Sequence, residues 1–94
     1  MKLNFEWDEK KAKDNLKNHK VSFDEATTVF SDPSSITILD PYHSEDEQRY
    51  IDIGSSEKGL VLVVVYTERG ANIRITSCRK ATRTERRHYE EGID

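Results

Sequence analysis

The apolar positions of this chain are concentrated in one stretch, which predicts the centre of its fold. Residues 60–65 are apolar without interruption, and such a run is typical of a strand that lies inside a sheet and is covered on at least one face. Residues 68–72 contain Gly70 and predict a turn, after which residues 73–76 return as a second strand. We therefore expect the other elements to pack around this hairpin.

The N-terminal residues predict a short strand followed by a mostly solvated helix. Residues 3–7 alternate between apolar and polar side chains, as a half-buried strand does. Asp8 is a suitable N-cap for a helix over residues 9–18, in which Ala12 and Leu16 are the only apolar positions. Because these two lie four residues apart, the helix is expected to rest on the sheet along one narrow stripe.

A capping box and the spacing of apolar residues predict a second helix. Ser22 and Glu25 are three positions apart, so each side chain can accept a hydrogen bond from the backbone N–H of the other residue. The apolar positions that follow at helical spacing are Phe23, Ala26, Val29 and Phe30. Pro33 should end the helix, because the residue before a proline is displaced from the helical region.

The C-terminal half predicts further strands and a final helix, which complete the fold class. Residues 36–39 and 49–54 are expected to be strands, the second with a regular alternation of apolar and polar positions. Thr82 and Glu85 repeat the capping-box spacing, and Gly92 is suited to end the helix that they begin. The order of elements predicts an α+β sandwich with helices packed on one face of a largely antiparallel sheet.

The composition indicates one small domain with a modest core. The 94 residues suffice for a single domain, 1–94, and only 34% of them are hydrophobic, so a partner that covers further surface is expected. The lone cysteine, Cys78, excludes an internal disulfide and a cysteine-rich zinc site, and its expected role is packing. The N-terminus lacks the pattern of a secretory leader, and the run 60–66 is too short to cross a membrane. We expect a cytoplasmic protein with no membrane partner.

Basic residues are concentrated near the C-terminus of an otherwise acidic chain. Positions 69 to 88 hold seven Lys or Arg residues and a single Glu, whereas the whole chain has a formal net charge of −3. The seven are Arg69, Arg74, Arg79, Lys80, Arg83, Arg86 and Arg87. Such a local excess indicates a polyanion-binding surface, and nucleic acid is the obvious candidate. For the last three, a solvated helix face that pairs with the following glutamates is an equally good explanation.

Strand alternation predicts where some of these side chains point. Arg74 lies between two isoleucines, so it is expected on the sheet face opposite them, beside Thr76 and Cys78. By the same argument Tyr50 and Asp52 leave their strand on the face away from its isoleucines, where they can meet Arg74. These residues together predict a polar site on one face of the sheet.

Arg49 and Arg79 are harder to assign to a face. Both fall on the apolar positions of their strands, but each lies at a strand end, where the alternation is free to change. Arg79 also stands just before a helix N-terminus, which attracts phosphate through its free N–H groups and its dipole. Tyr66 ends the central strand with an apolar ring and a polar tip, so it fits packing, base stacking or a proton relay.

The three histidines, His19, His43 and His88, show no metal-ligand spacing, so no metal ion or other cofactor is expected. His19 lies at a predicted helix end, where a histidine more often contacts the terminal carbonyl groups than takes part in a reaction.

Several segments in a fixed order along almost the whole chain resemble one known family. They are Phe5-Glu6-Trp7-Asp8, Asn15-Leu16-x-x-His19, Val21-Ser22-Phe23-Asp24-Glu25-Ala26, Val29-Phe30-x-Asp32-Pro33, Thr67-Glu68-Arg69-Gly70 and Ile73-Arg74-Ile75-x-Ser77-x-Arg79-Lys80-Ala81-Thr82-x-x-Glu85-Arg86. The family is that of the BrnT toxins of bacterial type II toxin–antitoxin systems. One departure is Lys20, which stands where the family usually has glycine, so a positive φ at this position would be strained.

The resemblance implies a RelE-like fold and a metal-independent ribonuclease that stops translation. It also implies neutralisation by a BrnA-like antitoxin in a hetero-oligomer of toxin and antitoxin dimers, with operator DNA bound only through the antitoxin. With this resemblance, the expected catalytic residues are Arg79, Arg74 and Arg49. The expected RNA-binding residues are Arg69, Lys80, Arg83, Arg86 and Tyr66.

The expected reaction is attack of the RNA 2′-hydroxyl on its own phosphate. Because the substrate supplies the nucleophile, the protein has to position the strand, move protons and stabilise charge on the phosphorane. Arginine suits the last task, since its planar fork binds two phosphate oxygens at once. Two alternatives from other classes remain open: a non-catalytic nucleic-acid-binding or transcriptional module, and a purely structural interaction domain.

Overall fold

The computed structural model describes residues 3–40 and 47–92, which form five strands and three α-helices. The strands are β1 (Asn4–Glu6), β2 (Ile36–Asp40), β3 (Arg49–Ser55), β4 (Val61–Arg69) and β5 (Asn72–Lys80). The helices are α1 (Glu9–His19), α2 (Phe23–Thr27) and α3 (Arg83–Glu91), and a 3-10 helix (Thr28–Ser31) continues α2.

All five strands belong to one sheet in the order β1-β5-β4-β3-β2. β1 runs parallel to β5, and the other three pairs are antiparallel. β4 is the central strand, as its uninterrupted apolar run predicted, and its residues Leu62 and Val64 are fully buried. The predicted α+β class with a largely antiparallel sheet is therefore confirmed.

Both ends of α1 follow local rules. The Asp8 Oδ1 atom accepts hydrogen bonds from the backbone N–H groups of Lys10 at 2.8 Å and Lys11 at 3.2 Å, so Asp8 is the predicted N-cap. At the other end Lys20 has a φ of 62°, and its N–H donates to the Leu16 carbonyl at 2.9 Å. A lysine therefore occupies a left-handed position that favours glycine.

A polar side chain fixes α1 on the sheet. Asn15 is only 5% exposed, and its Nδ2 donates to the Val21 carbonyl oxygen at 2.9 Å while its Oδ1 accepts from the Cys78 N–H at 3.0 Å. Leu16, which was expected on the buried stripe, is 50% exposed. The prediction for Leu16 was wrong, because the hydrogen bonds of Asn15 set which side of the helix faces β5.

The predicted capping box of α2 is only half formed. Ser22 Oγ accepts from the Glu25 N–H at 3.0 Å, as expected. The Glu25 carboxylate does not return the bond, since its Oε2 instead accepts from the Ser56 hydroxyl at 2.7 Å. α2 is thus capped by its serine and held to the β3–β4 turn by its glutamate.

The main core lies between α1, α2 and one face of the sheet. Its buried members are Val21, Phe23, Ala26, Val29, Leu62, Val64, Tyr66, Ile73, Ile75 and Cys78. Aromatic rings extend it, with centroid distances of 5.2 Å for Phe5 and Phe30 and of 4.9 Å for Phe30 and Tyr66. The N-terminal half of the chain therefore supplies the cover that the central hairpin requires.

A β-bulge at Thr76 changes the alternation of β5. Val65 of β4 pairs with Ser77 and the next residue, Tyr66, pairs with Ile75, so Thr76 is the extra residue between them. The Thr76 hydroxyl donates to the Val65 carbonyl at 3.1 Å. As a result, residues on the two sides of the bulge share a face although they are separated by an odd number of positions.

Helix α3 lies against the sheet face opposite α1 and α2. The predicted capping box is complete, since Thr82 Oγ1 accepts from the Glu85 N–H and the Glu85 carboxylate accepts from the Thr82 N–H. Gly92 ends α3 with a φ of 65°. The expectation that the helices share one face thus holds for α1 and α2 only, while α3 partly covers the second face.

Candidate functional site

A row of polar side chains crosses all five strands on the face opposite α1 and α2. Strand pairing aligns its members in the order Asp40, Arg49, Thr67, Arg74 and Glu6. Residues paired directly across neighbouring strands point to the same side of a sheet and interact with each other. We call this set the cross-strand row. Its two arginines flank a central threonine, and its two carboxylates lie at the outer ends.

Arg74 is held in place by the acidic residue on β1. Its Nη1 donates to Glu6 Oε2 at 2.8 Å, and Asn72 Nδ2 donates to Glu6 Oε1 at 2.8 Å. The hydrogen bond from Asn72 and then that from Arg74 lower the pKa of the Glu6 carboxyl. Glu6 is therefore charged at neutral pH and orients the guanidinium of Arg74 across the sheet face.

Thr67 lies at the centre of the row and is almost completely buried. It is directly paired with Arg49 on one side and Arg74 on the other. The side chain is 4% exposed, and within the described part of the chain its Oγ1 has no hydrogen-bond partner. A buried hydroxyl in this state is unusual, because it has lost its contacts with water without a replacement.

Arg79 forms an ion pair with Glu85. Its Nη1 and Nη2 donate to Glu85 Oε1 at 2.7 Å and to Oε2 at 2.9 Å, which is a bidentate arrangement. The contact with Arg79, ahead of the hydrogen bond from the Thr82 backbone, lowers the pKa of Glu85 to about 2. Glu85 therefore joins the capping box of α3 to an arginine of the sheet.

The bulge brings the three predicted catalytic arginines to one face. Arg79 is paired with Val63, on the same side of β4 as Thr67, and Arg74 is paired with Thr67 itself. Arg74 and Arg79 are five positions apart, so regular alternation without a bulge would place them on opposite faces. We call the side that carries Arg49, Arg74 and Arg79 the arginine face.

The other predicted basic residues are distributed more widely. Arg69 is half exposed and forms an ion pair with Glu47 at 3.0 Å. Arg83 and Arg86 are exposed on α3. Lys80 pairs with Leu62, a core residue, so its side chain leaves β5 on the side of α1 and not on the arginine face. Lys80, which was expected to bind RNA, therefore lies on the sheet face opposite the arginine face.

Tyr66 points into the core, which corrects its prediction as an RNA-binding residue. It is 6% exposed, its ring packs on those of Phe30 and Tyr50, and its hydroxyl donates to Asp52 Oδ1 at 3.1 Å. Burial raises the pKa values of Asp52 and Tyr66. Tyr50 and Asp52 also lie on this side of the sheet, so the expected meeting with Arg74 does not occur.

Cys78 also lies on a different face from the one predicted. Alternation had placed it beside Arg74, whereas the bulge turns it toward α1, where it is 1% exposed. Burial raises the pKa of its thiol to about 11. Its expected role in packing agrees with this position.

Two contributors to the site were not identified from the sequence. Thr67 is an ordinary threonine in a strand, and only the pairing of three strands shows that it lies between two arginines. Glu85 was recognised as a capping residue, but its second contact with Arg79 depends on how α3 folds back on the sheet. The capping spacing was the available signal for Glu85. Thr67 belongs to one of the segments that resemble the family, but neither its residue type nor its spacing indicated a role in the site.

The remaining candidates add little to the site. His88 lines a cavity of about 600 Å³ together with Ile36, Ile38 and Ile53, between α3 and the β2 edge. His43 lies outside the described residues. Within residues 3–40 and 47–92, no three His, Cys, Asp or Glu side chains are arranged to hold a metal ion. In the same ranges, no helix is sufficiently long and apolar to span a membrane.

Comparison with known proteins places this arrangement in a family. A family model described as the ribonuclease toxin, BrnT, of a type II toxin–antitoxin system matches residues 7–85. The chain belongs to the BrnT family. A search among curated proteins finds no match.

The fold of this BrnT-family chain is also similar to a solved structure. The crystal structure of the Brucella abortus ribonuclease toxin BrnT, at 1.1 Å resolution, aligns with a TM-score of 0.65 and 20% sequence identity. The alignment covers 87% of this chain and 100% of that one, so the two folds correspond over nearly their whole lengths. Membership of the BrnT family implies an RNA substrate and an antitoxin partner.

Proposed function

We propose that this BrnT-family chain is a cytoplasmic endoribonuclease that cleaves RNA without a metal ion and so stops translation. The observation that carries the proposal is the convergence of Arg49, Arg74 and Arg79 on one face of the sheet. A surface that concentrates guanidinium groups on an acidic chain favours a polyanion such as RNA. The family description names the same kind of activity.

The proposed reaction uses the 2′-hydroxyl of the RNA as the nucleophile. The protein then contributes position and charge stabilisation, which arginine provides because its fork can donate to two phosphate oxygens. Arginine remains protonated and does not act as a base. We assign Arg49, Arg74 and Arg79 to binding the phosphate and stabilising the negative charge that develops on it.

The ion pair with Glu85 leaves Arg79 able to bind a phosphate. A guanidinium has five N–H donors. Glu85 accepts from two of those of Arg79, and the Lys80 carbonyl accepts from Nη1 at 3.3 Å. A phosphate can use the remaining donors, or it can replace the carboxylate of Glu85 by the same bidentate geometry. In the first case Glu85 orients Arg79, and in the second it competes with the substrate.

The proposal includes a BrnA-like antitoxin as the partner in the cell. The large apolar side chains of Ile38, Leu39 and Leu60 are exposed, at 47%, 45% and 38%. They are exposed although the chain has few apolar residues, 34% of the total. Side chains of this kind are suited to burial against another protein. We propose a hetero-oligomer of toxin and antitoxin dimers in which the antitoxin provides the contacts with operator DNA.

The test combines growth with cleavage by the purified protein. Expression of the chain alone should arrest bacterial growth, and co-expression of the cognate antitoxin should restore it. The purified protein should cleave RNA under single-turnover conditions. Normal growth at confirmed soluble expression, together with intact RNA at saturating protein, would contradict the proposal. Binding of RNA without cleavage would favour a non-catalytic nucleic-acid-binding module instead.

A further inference from the structure

We propose that Thr67 lies at the base of a phosphate-binding subsite between Arg49 and Arg74, and that its hydroxyl donates a hydrogen bond to a phosphodiester oxygen of the RNA. The inference deepens the proposed function and rests on it for the identity of the ligand. It assigns a role to a residue that the charge pattern of the sequence does not indicate.

The first argument is the state of the Thr67 hydroxyl. The residue is 4% exposed, and its Oγ1 is buried without a hydrogen-bond partner among the described residues. Leaving a buried hydroxyl unsatisfied is unfavourable, and valine has nearly the same shape and is also favoured in strands. A ligand oxygen that accepts from this hydroxyl accounts for the presence of threonine instead of valine.

The second argument is the order of charges along the cross-strand row. Arg49 and Arg74 are the direct neighbours of Thr67, and Asp40 and Glu6 follow at the outer ends. The positive charge is therefore concentrated at the centre of the row. An anion is attracted to the position above Thr67 and repelled from the two edges of the sheet.

The third argument is the reach of the two arginines. Neighbouring strands are separated by about 4.8 Å, so each guanidinium can extend over the central strand from its own side. An anion bound at Thr67 would then accept a hydrogen bond from the threonine hydroxyl and further hydrogen bonds from the guanidinium group of the arginine on each side. In this proposal the three donor groups converge on a single phosphate.

Access to the hydroxyl requires a side chain to move. Arg74 is suited to this movement, because its side chain is 27% exposed and its ion pair with Glu6 uses Nη1. Rotation about the bonds of the arginine stem can lift the guanidinium from the strand while it stays close to Glu6. In this proposal the subsite opens by movement of the Arg74 side chain.

Three variants test the inference. Thr67→Val removes the hydroxyl and keeps the shape of the side chain, and Thr67→Ser keeps the hydroxyl. The matched control is Thr27→Val on α2, since the Thr27 hydroxyl already donates to the Asp24 carbonyl at 2.7 Å and lies away from the arginine face. The probes are inorganic phosphate and an RNA oligonucleotide with 2′-O-methyl groups, which binds but lacks the nucleophile.

Binding is measured by fluorescence anisotropy for the oligonucleotide and by amide chemical shifts for inorganic phosphate. Thr67→Val should weaken binding of the oligonucleotide about tenfold, the loss expected for one hydrogen bond to a charged oxygen. Thr67→Ser and Thr27→Val should bind like the parent protein. Inorganic phosphate should shift the amide resonances of Arg49, Thr67 and Arg74 in the parent protein.

Thermal unfolding separates this role from a structural one. A hydroxyl without a partner in the folded protein contributes no stability, so the melting temperature of Thr67→Val should equal or exceed that of the parent. A fall of several degrees would show that the hydroxyl has a structural partner, which overturns the inference. Unchanged oligonucleotide binding by Thr67→Val would also overturn it, as would an equal loss in Thr27→Val. A dependence on Thr67 for inorganic phosphate alone would exclude RNA as the ligand.

Cleavage of unmodified RNA keeps the two proposals distinguishable. If the parent protein cleaves RNA while Thr67→Val binds the oligonucleotide normally, the inference fails and the proposed function stands. If the parent protein binds the oligonucleotide through Thr67 without cleaving RNA, the subsite stands and the ribonuclease assignment fails. If the parent protein binds neither probe, the subsite is refuted whatever the cleavage result.

Discussion

Arg79 and Glu85 form a bidentate ion pair, at 2.7 and 2.9 Å, between the end of β5 and the first turn of α3. The same carboxylate accepts a hydrogen bond from the Thr82 N–H at 2.8 Å, so one side chain caps the helix and attaches it to the sheet. The arginine that we assign to the reaction therefore also has a structural task. Any mutational test of Arg79 has to separate these two tasks.

We predict that Arg79→Ala loses on the order of 10²-fold in RNA cleavage, the scale expected for removal of one well-placed electrostatic donor. Arg79→Lys should also fail to restore cleavage, because it keeps the charge but lacks the fork that binds two oxygens. Single-turnover cleavage of RNA measures both variants.

Glu85→Gln is the matched control for Arg79→Ala, since it breaks the same ion pair and leaves the arginine in place. Both variants should unfold at a lower temperature than the parent protein. If Arg79 acts on the phosphate, Glu85→Gln should retain most of the cleavage activity at temperatures where it is folded. Equal losses of cleavage in the two folded variants would show that Arg79 serves only to hold α3.

The two arginines of the cross-strand row should affect cleavage more than an exposed arginine of α3. Arg74→Ala and Arg49→Ala are expected to reduce cleavage, because each removes a phosphate-binding group from the arginine face. Arg87→Ala is the control, since Arg87 is exposed on α3. Single-turnover cleavage, with circular dichroism to verify folding, measures these effects. A loss in Arg87→Ala equal to that in Arg74→Ala would indicate binding by diffuse charge.

Cleavage should continue in the presence of EDTA. The proposed nucleophile belongs to the RNA, and arginine supplies the charge stabilisation that a metal ion provides in other nucleases. The measurement compares single-turnover rates before and after chelation at constant ionic strength. Loss of activity that a divalent cation restores would refute this part of the mechanism.

Asp52→Asn should stabilise the protein at neutral pH. Asp52 is 3% exposed, and burial raises the pKa of its carboxyl above the ordinary value of 3.8. Above its folded-state pKa the buried charge therefore lowers the free energy of unfolding, whereas below pH 3.8 the carboxyl is protonated in both states. The asparagine amide oxygen can still accept from the Tyr66 hydroxyl.

Thermal unfolding between pH 3 and pH 8 measures this effect. The melting temperature of Asp52→Asn should exceed that of the parent at pH 7, and the difference should diminish as the pH falls. Cleavage should not change, because Asp52 lies on the opposite side of the sheet from the arginine face. A lower melting temperature for Asp52→Asn at pH 7 would mean that the carboxylate makes favourable contacts that exceed its burial cost.

Much of the fold could be predicted from the sequence because its signals are local. The capping box at Thr82 and Glu85, the N-cap at Asp8 and the apolar run of β4 each involve residues close together in the chain. The Ser22 cap also formed, although Glu25 found a different partner in Ser56, which is distant in sequence. Where two possible partners compete, the tertiary contact decides the outcome.

The candidate site could be predicted only in part, because it depends on pairing between strands. The face of Arg74 was inferred correctly by alternation, but that of Cys78 was not, since the bulge lies between them. Tyr66 was open to several roles from its sequence position, and only the surrounding rings and Asp52 show that it is a core residue. The role proposed for Thr67 rests on strand pairing and on the burial of its hydroxyl, which has no partner among the described residues.

In genetic terms, the bulge at Thr76 is one additional codon in β5. A deletion of that codon would restore regular alternation and leave Ile75, Cys78 and Arg79 on their present faces, while moving the two arginines of the strand one residue closer together. Loss of a codon from the middle of β4, which has no extra residue to give up, would reverse the faces of every residue on one side of the deletion. β4 and β5 therefore differ in their tolerance of in-frame deletions. A deletion of Thr76 offers a way to change the spacing of Arg74 and Arg79 without replacing either side chain.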